Sequence, residues 1–128
     1  MRVLAVSAAA LAGLIASAGC ADSDSKQRRG EQAERALSFA EALRDRDFSS
    51  ACGMATRTLQ REMRCGTSEV RSPNGIDIPR RLVLRVESVE DERDAETQVN
   101  FLVDPLPALG IVVRRDGRVS EAFGFGFQ

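Results

Sequence analysis

Three cysteines and one carboxylate carry most of the chemistry this 128-residue chain could perform. The carboxylate is Glu121, set in the alternating row Val119, Glu121, Phe123, Phe125 and Phe127. A carboxyl among aromatic side chains is desolvated, which favours its neutral form and suits it to general-base work. On that reading the chemistry is proton abstraction, as in a small isomerase or cyclase. The competing reading is structural: the position lies near a hairpin end, where the face is wet or an arginine can pair with it. The rest of the inventory favours the structural reading. The chain has no His, Trp or Tyr, so the commonest general base, the commonest metal ligand and the phenolic donor are all missing. An isomerase also needs a donor to stabilise its oxyanion. No CxxC pair is present, which argues against zinc, and neither a metal nor a cofactor is expected.

The cysteines are Cys20, Cys52 and Cys65, and an odd number in an exported domain calls for an explanation. Arg2, the apolar and small-residue run Val3 to Ala18, and the polar stretch after Cys20 have the layout of a bacterial export signal covering residues 1–19. Ala16-Ser17-Ala18 fits cleavage by ordinary signal peptidase, which would release a soluble secreted protein. Ser17-Ala18-Gly19-Cys20 resembles the lipobox, in which small residues precede a cysteine that is acylated; Ser17 stands where the usual lipobox has leucine. If Cys20 carries lipid, Cys52 and Cys65 remain as a pair and no thiol is left over. That favours a lipoprotein on the outer face of the cell membrane. A permanent membrane span needs about 20 apolar residues, and Val3 to Gly19 falls short of it.

The elements that must position these residues follow in order. Residues 20–30 are polar and aperiodic and read as a flexible tether. From Glu31 to about Arg46, Ala33, Ala36, Leu37, Ala40 and Leu43 recur at three- and four-residue steps, which predicts an amphipathic helix. Asp47-Phe48-Ser49-Ser50 breaks it and caps a second helix carrying Cys52, Ala55, Leu59 and Met63. On one continuous helix Cys52 and Cys65 would lie about 20 Å apart, whereas a disulfide needs Cα atoms within about 7 Å. A Cys52–Cys65 bond therefore requires the helix to break, and Thr56-Arg57-Thr58 offers the cap for a new one near Thr56. Ser72-Pro73-Asn74-Gly75 is turn chemistry, with Ile76 and Ile78 expected to touch the core edge.

Beyond residue 80 the apolar period changes to two. Leu82 to Glu87, Ala95 to Asp104, Leu109 to Arg115 and Arg118 to Phe127 read as strands. Asp91-Glu92-Arg93-Asp94 and Asp116-Gly117 supply turns, and Pro105-Leu106-Pro107 a stop. Helices followed by an antiparallel meander predict an α+β domain over residues 31–128, with N-terminal helices packed on a curved sheet of about four strands. In Phe123-Gly124-Phe125-Gly126-Phe127 the phenylalanines are expected to fill the core and the glycines to ease sheet curvature. The alternative is a groove or an edge awaiting a further strand. The formal net charge is −1, so nothing points to nucleic acid.

The stretch Ala36-Leu37-Ser38-Phe39-Ala40-Glu41-Ala42-Leu43-Arg44-Asp45-Arg46-Asp47-Phe48-Ser49-Ser50-Ala51-Cys52 resembles the opening of small exported actinobacterial proteins with a nuclear transport factor 2-like domain. Arg115-Asp116-Gly117-Arg118-Val119 is similar to that family's terminal hairpin. The resemblance implies a cone-shaped helix-plus-sheet fold, a cysteine pair at Cys52 and Cys65, and a pocket for which Phe101, Phe123 and Phe125 are candidate lining. It implies no activity. The combined expectation is a non-enzymatic, envelope-anchored module, held to the membrane by its lipid. It would bind a partner protein or a small apolar ligand, with a homodimer through the sheet as a further candidate partner.

Overall fold

The computed structural model describes residues 26–91, 96–103 and 106–124. Contacts close on themselves within Glu31–Gln128, which forms one unit. The described elements run in α+β order: a helix over residues 26–44 (α1), then α2 (Phe48–Met54), α3 (Arg57–Met63) and a 3-10 turn (Pro73–Gly75). Four strands follow: β1 (Arg85–Asp91), β2 (Thr97–Val103), β3 (Leu106–Val113) and β4 (Val119–Gly124). The strands form one antiparallel sheet in sequence order.

Helix α1 begins earlier than the apolar period does. Residues 26–30, expected to belong to the tether, are helical, because Lys, Gln and Arg extend a helix at little cost once it is nucleated. The helix ends at a corner built by Arg46, which adopts the left-handed conformation (φ 61°). Its guanidinium donates to the carbonyls of Leu43 and Arg44 at 3.0 and 2.9 Å, closing off the helix end. The same group reaches the Ile78 carbonyl at 3.1 Å and the Asp77 carboxylate, tying the corner to the connector.

Helices α2 and α3 are separate, and the break falls where the cysteine geometry required it. Asp47 caps α2, accepting from the Ser50 amide, and Thr56 caps α3, accepting from the Leu59 amide. Cys52 and Cys65 are joined in a disulfide with Cα atoms 5.9 Å apart. The Thr56 amide then donates to the Val119 carbonyl at 2.8 Å, so the break between the helices docks on the start of β4.

One buried cluster unites helix and sheet. Ala36, Phe39, Ala40 and Leu43 of α1, Leu59 and Met63 of α3, and Ile76 and Ile78 of the connector share it with Val99, Phe101, Ile111, Val113, Val119 and Ala122. Ile76 and Ile78 lie inside this core, deeper than an edge position. A buried polar link crosses it at one end: Thr97 Oγ1 donates to Gln32 Oε1, and Gln32 Nε2 donates to the Arg114 carbonyl at 3.1 Å. Among the described residues no buried side-chain polar atom lacks a partner.

Several strand boundaries differ from the period-two reading by a residue or two, and those of β1 and β3 by more. β3 starts at Leu106 and contains Pro107, which pairs with Leu102 at a register shift; a bulge is where a strand tolerates a residue with no amide hydrogen. β1 covers Arg85–Asp91, so Leu82 and Leu84 precede it. The expected turn residues 92–94, Asp104 and Pro105 lie outside the described residues.

Candidate functional site

The case for Glu121 as a base rests on its placement, and a bulge sets the placement. Val112 pairs with Glu121 but its neighbour Val113 pairs with Val119, leaving Ser120 as an extra residue in β4. An extra residue reverses which face each later side chain occupies. Val119 and Ala122 therefore both point into the core, three apart, and Glu121 turns to the other face. The row Val119, Glu121 and Phe123 expected on one face is split. Glu121 is exposed, so the apolar surrounding that a carboxylate base requires is not there.

Around Glu121 lies a shallow depression lined also by Glu62, Asn74, Glu96 and Ser120. Its side chains are carboxylates, an amide and a hydroxyl, and Asn74 already donates to the Ala122 carbonyl at 2.7 Å. Nothing in it would stabilise a developing oxyanion strongly. A neighbouring concavity shares Glu62 and Asn74 and continues along Arg71, Ser72 and Asp77. Among the described residues no group of His, Cys, Asp and Glu is arranged to hold a metal ion.

The candidate pocket residues are not brought together. Phe101 is 0% exposed and belongs to the core. Phe123 is half-buried on the opposite face, its ring lying over Gly110 in the facing strand. That contradicts the expectation that Phe123 fills the core beneath the helices, and the cause is again the bulge at Ser120. Phe125 lies outside the described residues, as do Phe127 and Cys20. Between α1 and the sheet the space is occupied by Phe39, Leu43, Phe101 and Ile111, each less than 2% exposed.

Near the end of α1, Arg44 Nε donates to Asp45 Oδ1 at 2.9 Å, and Arg44 Nη1 to the Leu82 carbonyl at 3.1 Å. The hydrogen bond from Arg44 holds the Asp45 carboxyl below its ordinary range, and the same bond raises the guanidinium. This pair fastens α1 to the connector before β1.

Sequence reasoning missed the arginines of α3. Arg57, Arg61 and Arg64, with Gln60, Cys65 and Thr67, line an open concavity of about 510 Å³. The readable signal was the spacing of four behind the Thr56 cap, which puts Arg57 and Arg61 on one side of the helix, with Arg64 the left-handed residue that ends it.

Compared with family models, curated proteins and solved structures, the chain has no match. The functional reading therefore rests on its own residues. Among the described residues no helix is long and apolar enough to cross a membrane, and the Cys52–Cys65 disulfide fits an exported protein.

Proposed function

We propose that this chain is a non-enzymatic lipoprotein of the bacterial envelope. On this reading it is anchored at the outer face of the cell membrane through Cys20 and presents residues 31–128 to a partner protein. The observation that carries the reading is the disulfide. Cys52 and Cys65 are bonded to each other, which leaves Cys20, in the run Ser17-Ala18-Gly19-Cys20, as the cysteine for acylation. An export signal ahead of a disulfide-stapled domain agrees with an oxidising compartment. The order of helices and four-stranded sheet supports placing the domain among nuclear transport factor 2-like folds. A partner protein is favoured over an enclosed apolar ligand because Phe39, Phe101 and Ile111 fill the space such a ligand would need.

Intact mass spectrometry of the membrane fraction tests this. The expected species begins at Cys20, carries two or three acyl chains, and is two hydrogens lighter than the reduced chain. A mature species beginning at Gly19 with no lipid would overturn the anchor while leaving export in place.

A further inference from the structure

We infer that the concavity on α3 is an anion site for a phosphate-bearing ligand, with Arg57 and Arg61 as its working guanidiniums and Arg64 at its rim. The inference rests on residues 31–128 alone and does not depend on the lipid anchor.

Some arginines of the unit are committed to carboxylates, while others, Arg35, Arg81, Arg85, Arg114 and Arg115 among them, carry guanidiniums with no hydrogen bond or ion pair among the described residues. Arg44 lies against Glu41 and Asp45, Arg46 against Asp77, and Arg64 against Glu69 at 2.8 Å. Arg57 and Arg61 are exposed, and among the described residues their guanidiniums have neither a hydrogen bond nor an ion pair. They are four residues apart on a helix of seven, the spacing at which like charges repel. Arg57 also occupies the first helical position, where the helix dipole disfavours a cation, and no acidic residue stands in that turn to offset it. The repulsion and the first-turn position of Arg57 cost helix stability, whereas Arg61 lies in the last turn, where the dipole favours a cation. Uncompensated departures such as that of Arg57 mark functional positions.

The backbone beneath is fixed. Cys65 ties the end of α3 to Cys52. Thr56 caps its start, and Gln60 Nε2 donates to the carbonyls of Cys52 and Ala55 at 2.8 and 3.3 Å. Arg118 Nη1 reaches the same Ala55 carbonyl at 3.2 Å from the hairpin before β4. The guanidiniums thus project from a platform that need not reorganise when an anion arrives, which lowers the entropic cost of binding. A planar guanidinium forks onto two oxygens of a phosphate, and two on one helix face can share a tetrahedral anion. Glu62 lines the neighbouring concavities, no carboxylate among the described residues lines this one, and the Glu69 carboxylate holds Arg64 at its rim.

Isothermal titration calorimetry of the full chain at low ionic strength tests the site. The probes are inorganic pyrophosphate and water-soluble dihexanoyl phosphatidylglycerol, with the phosphatidylcholine analogue as a neutral-headgroup control. The expected result is binding of at least one anionic probe, weakened at least about tenfold in Arg57→Gln/Arg61→Gln. Arg80→Gln/Arg81→Gln, which removes the same charge from another exposed stretch, should alter affinity by less than about twofold. Binding of pyrophosphate alone assigns the site to free phosphate compounds; binding of the phosphatidylglycerol assigns it to a lipid headgroup. Absence of binding to both probes, or equal weakening in the two double variants, would overturn the proposal. The four single-site variants Arg57→Gln, Arg61→Gln, Arg80→Gln and Arg81→Gln repeat the comparison if either double variant unfolds.

Discussion

A side chain at Gly110 would collide with Phe123, and this one contact fixes much of what the outer face of the sheet can be. A Cβ built at Gly110 would overlap Cζ and Cε2 of the ring. Gly110→Ala should push the half-exposed ring aside and cost about 1 kcal/mol. In a Phe123→Ala background the same change should instead stabilise by about 0.5–1 kcal/mol, since glycine is a poor strand residue. Denaturant midpoints of the four proteins in this cycle check the sign reversal, and an equal effect in both backgrounds would refute the packing argument. Asp45 gives a second prediction, this one in pH. Its folded pKa lies below the unfolded value because Arg44 donates to it. The pair's contribution is therefore complete above the ordinary value of 3.8 and is lost as pH falls through the lowered folded value. Thermal midpoints of wild type and Asp45→Asn should differ at neutral pH and converge in acid. A gap that stays constant into acid would remove Arg44 as the cause. Glu121 shows why residue-scale reading of the site failed. Strict alternation placed it beside Val119, and a single extra residue at Ser120 moved it to the other face. Nothing in Val119-Ser120-Glu121-Ala122 announces a bulge, because its cause lies in the fit of β4 between β3 and the Thr56 amide.

At the scale of elements, the break between α2 and α3 is held by several independent devices. Thr56 is both the cap of α3 and, through its amide, a partner of β4. Thr56→Ala should cost about 1 kcal/mol, and Thr56→Ser much less, because the hydroxyl is what accepts from the Leu59 amide. Equal losses in the two variants would show that packing of the methyl group, rather than the cap, is what counts. Removing the staple with Cys52→Ala/Cys65→Ala should cost about 3 kcal/mol for a loop of this size. A loss near zero in urea titrations would mean that the Gln60 and Arg118 bonds to Ala55 already hold the corner. This element was legible beforehand because covalent geometry constrains it: two cysteines thirteen residues apart cannot meet across a straight helix. The start of α1 and the span of β3 were not. Exposed residues 26–30 prolong α1 beyond the apolar period, which has no apolar position there to mark them. The span of β3 depends on tertiary pairing that overrides local preference, as Pro107 inside a strand illustrates.

For the molecule as a whole, the change of apolar period near residue 80 was enough to read an α+β order, because it reflects burial of one face in each layer. What the period could not show is that the two edges of the sheet differ. At β4 the carbonyls of Val119 and Ala122 accept from the Thr56 amide and from Asn74 Nδ2, so that edge is covered. At β1 the flanking Val83 is 71% and Val86 40% exposed, while Arg85, Glu87, Glu90 and Asp91 are exposed charges. A register shift between Val86 and Ser88 leaves Glu87 as the bulged residue. Charges and a bulge are how an open edge avoids pairing with another chain. Among the described residues β1 is thus the edge through which sheets could join, and its charges oppose that joining. Arg85→Val/Glu87→Val should therefore raise self-association at equal protein concentration, read as larger species in sedimentation velocity. Asn74→Ala, which uncovers one carbonyl at β4, should do so only weakly. If the β1 variant sediments like wild type, the exposed edge is guarded by something other than its charges. If Asn74→Ala associates more strongly than the β1 variant, the open edge has been assigned to the wrong side of the sheet.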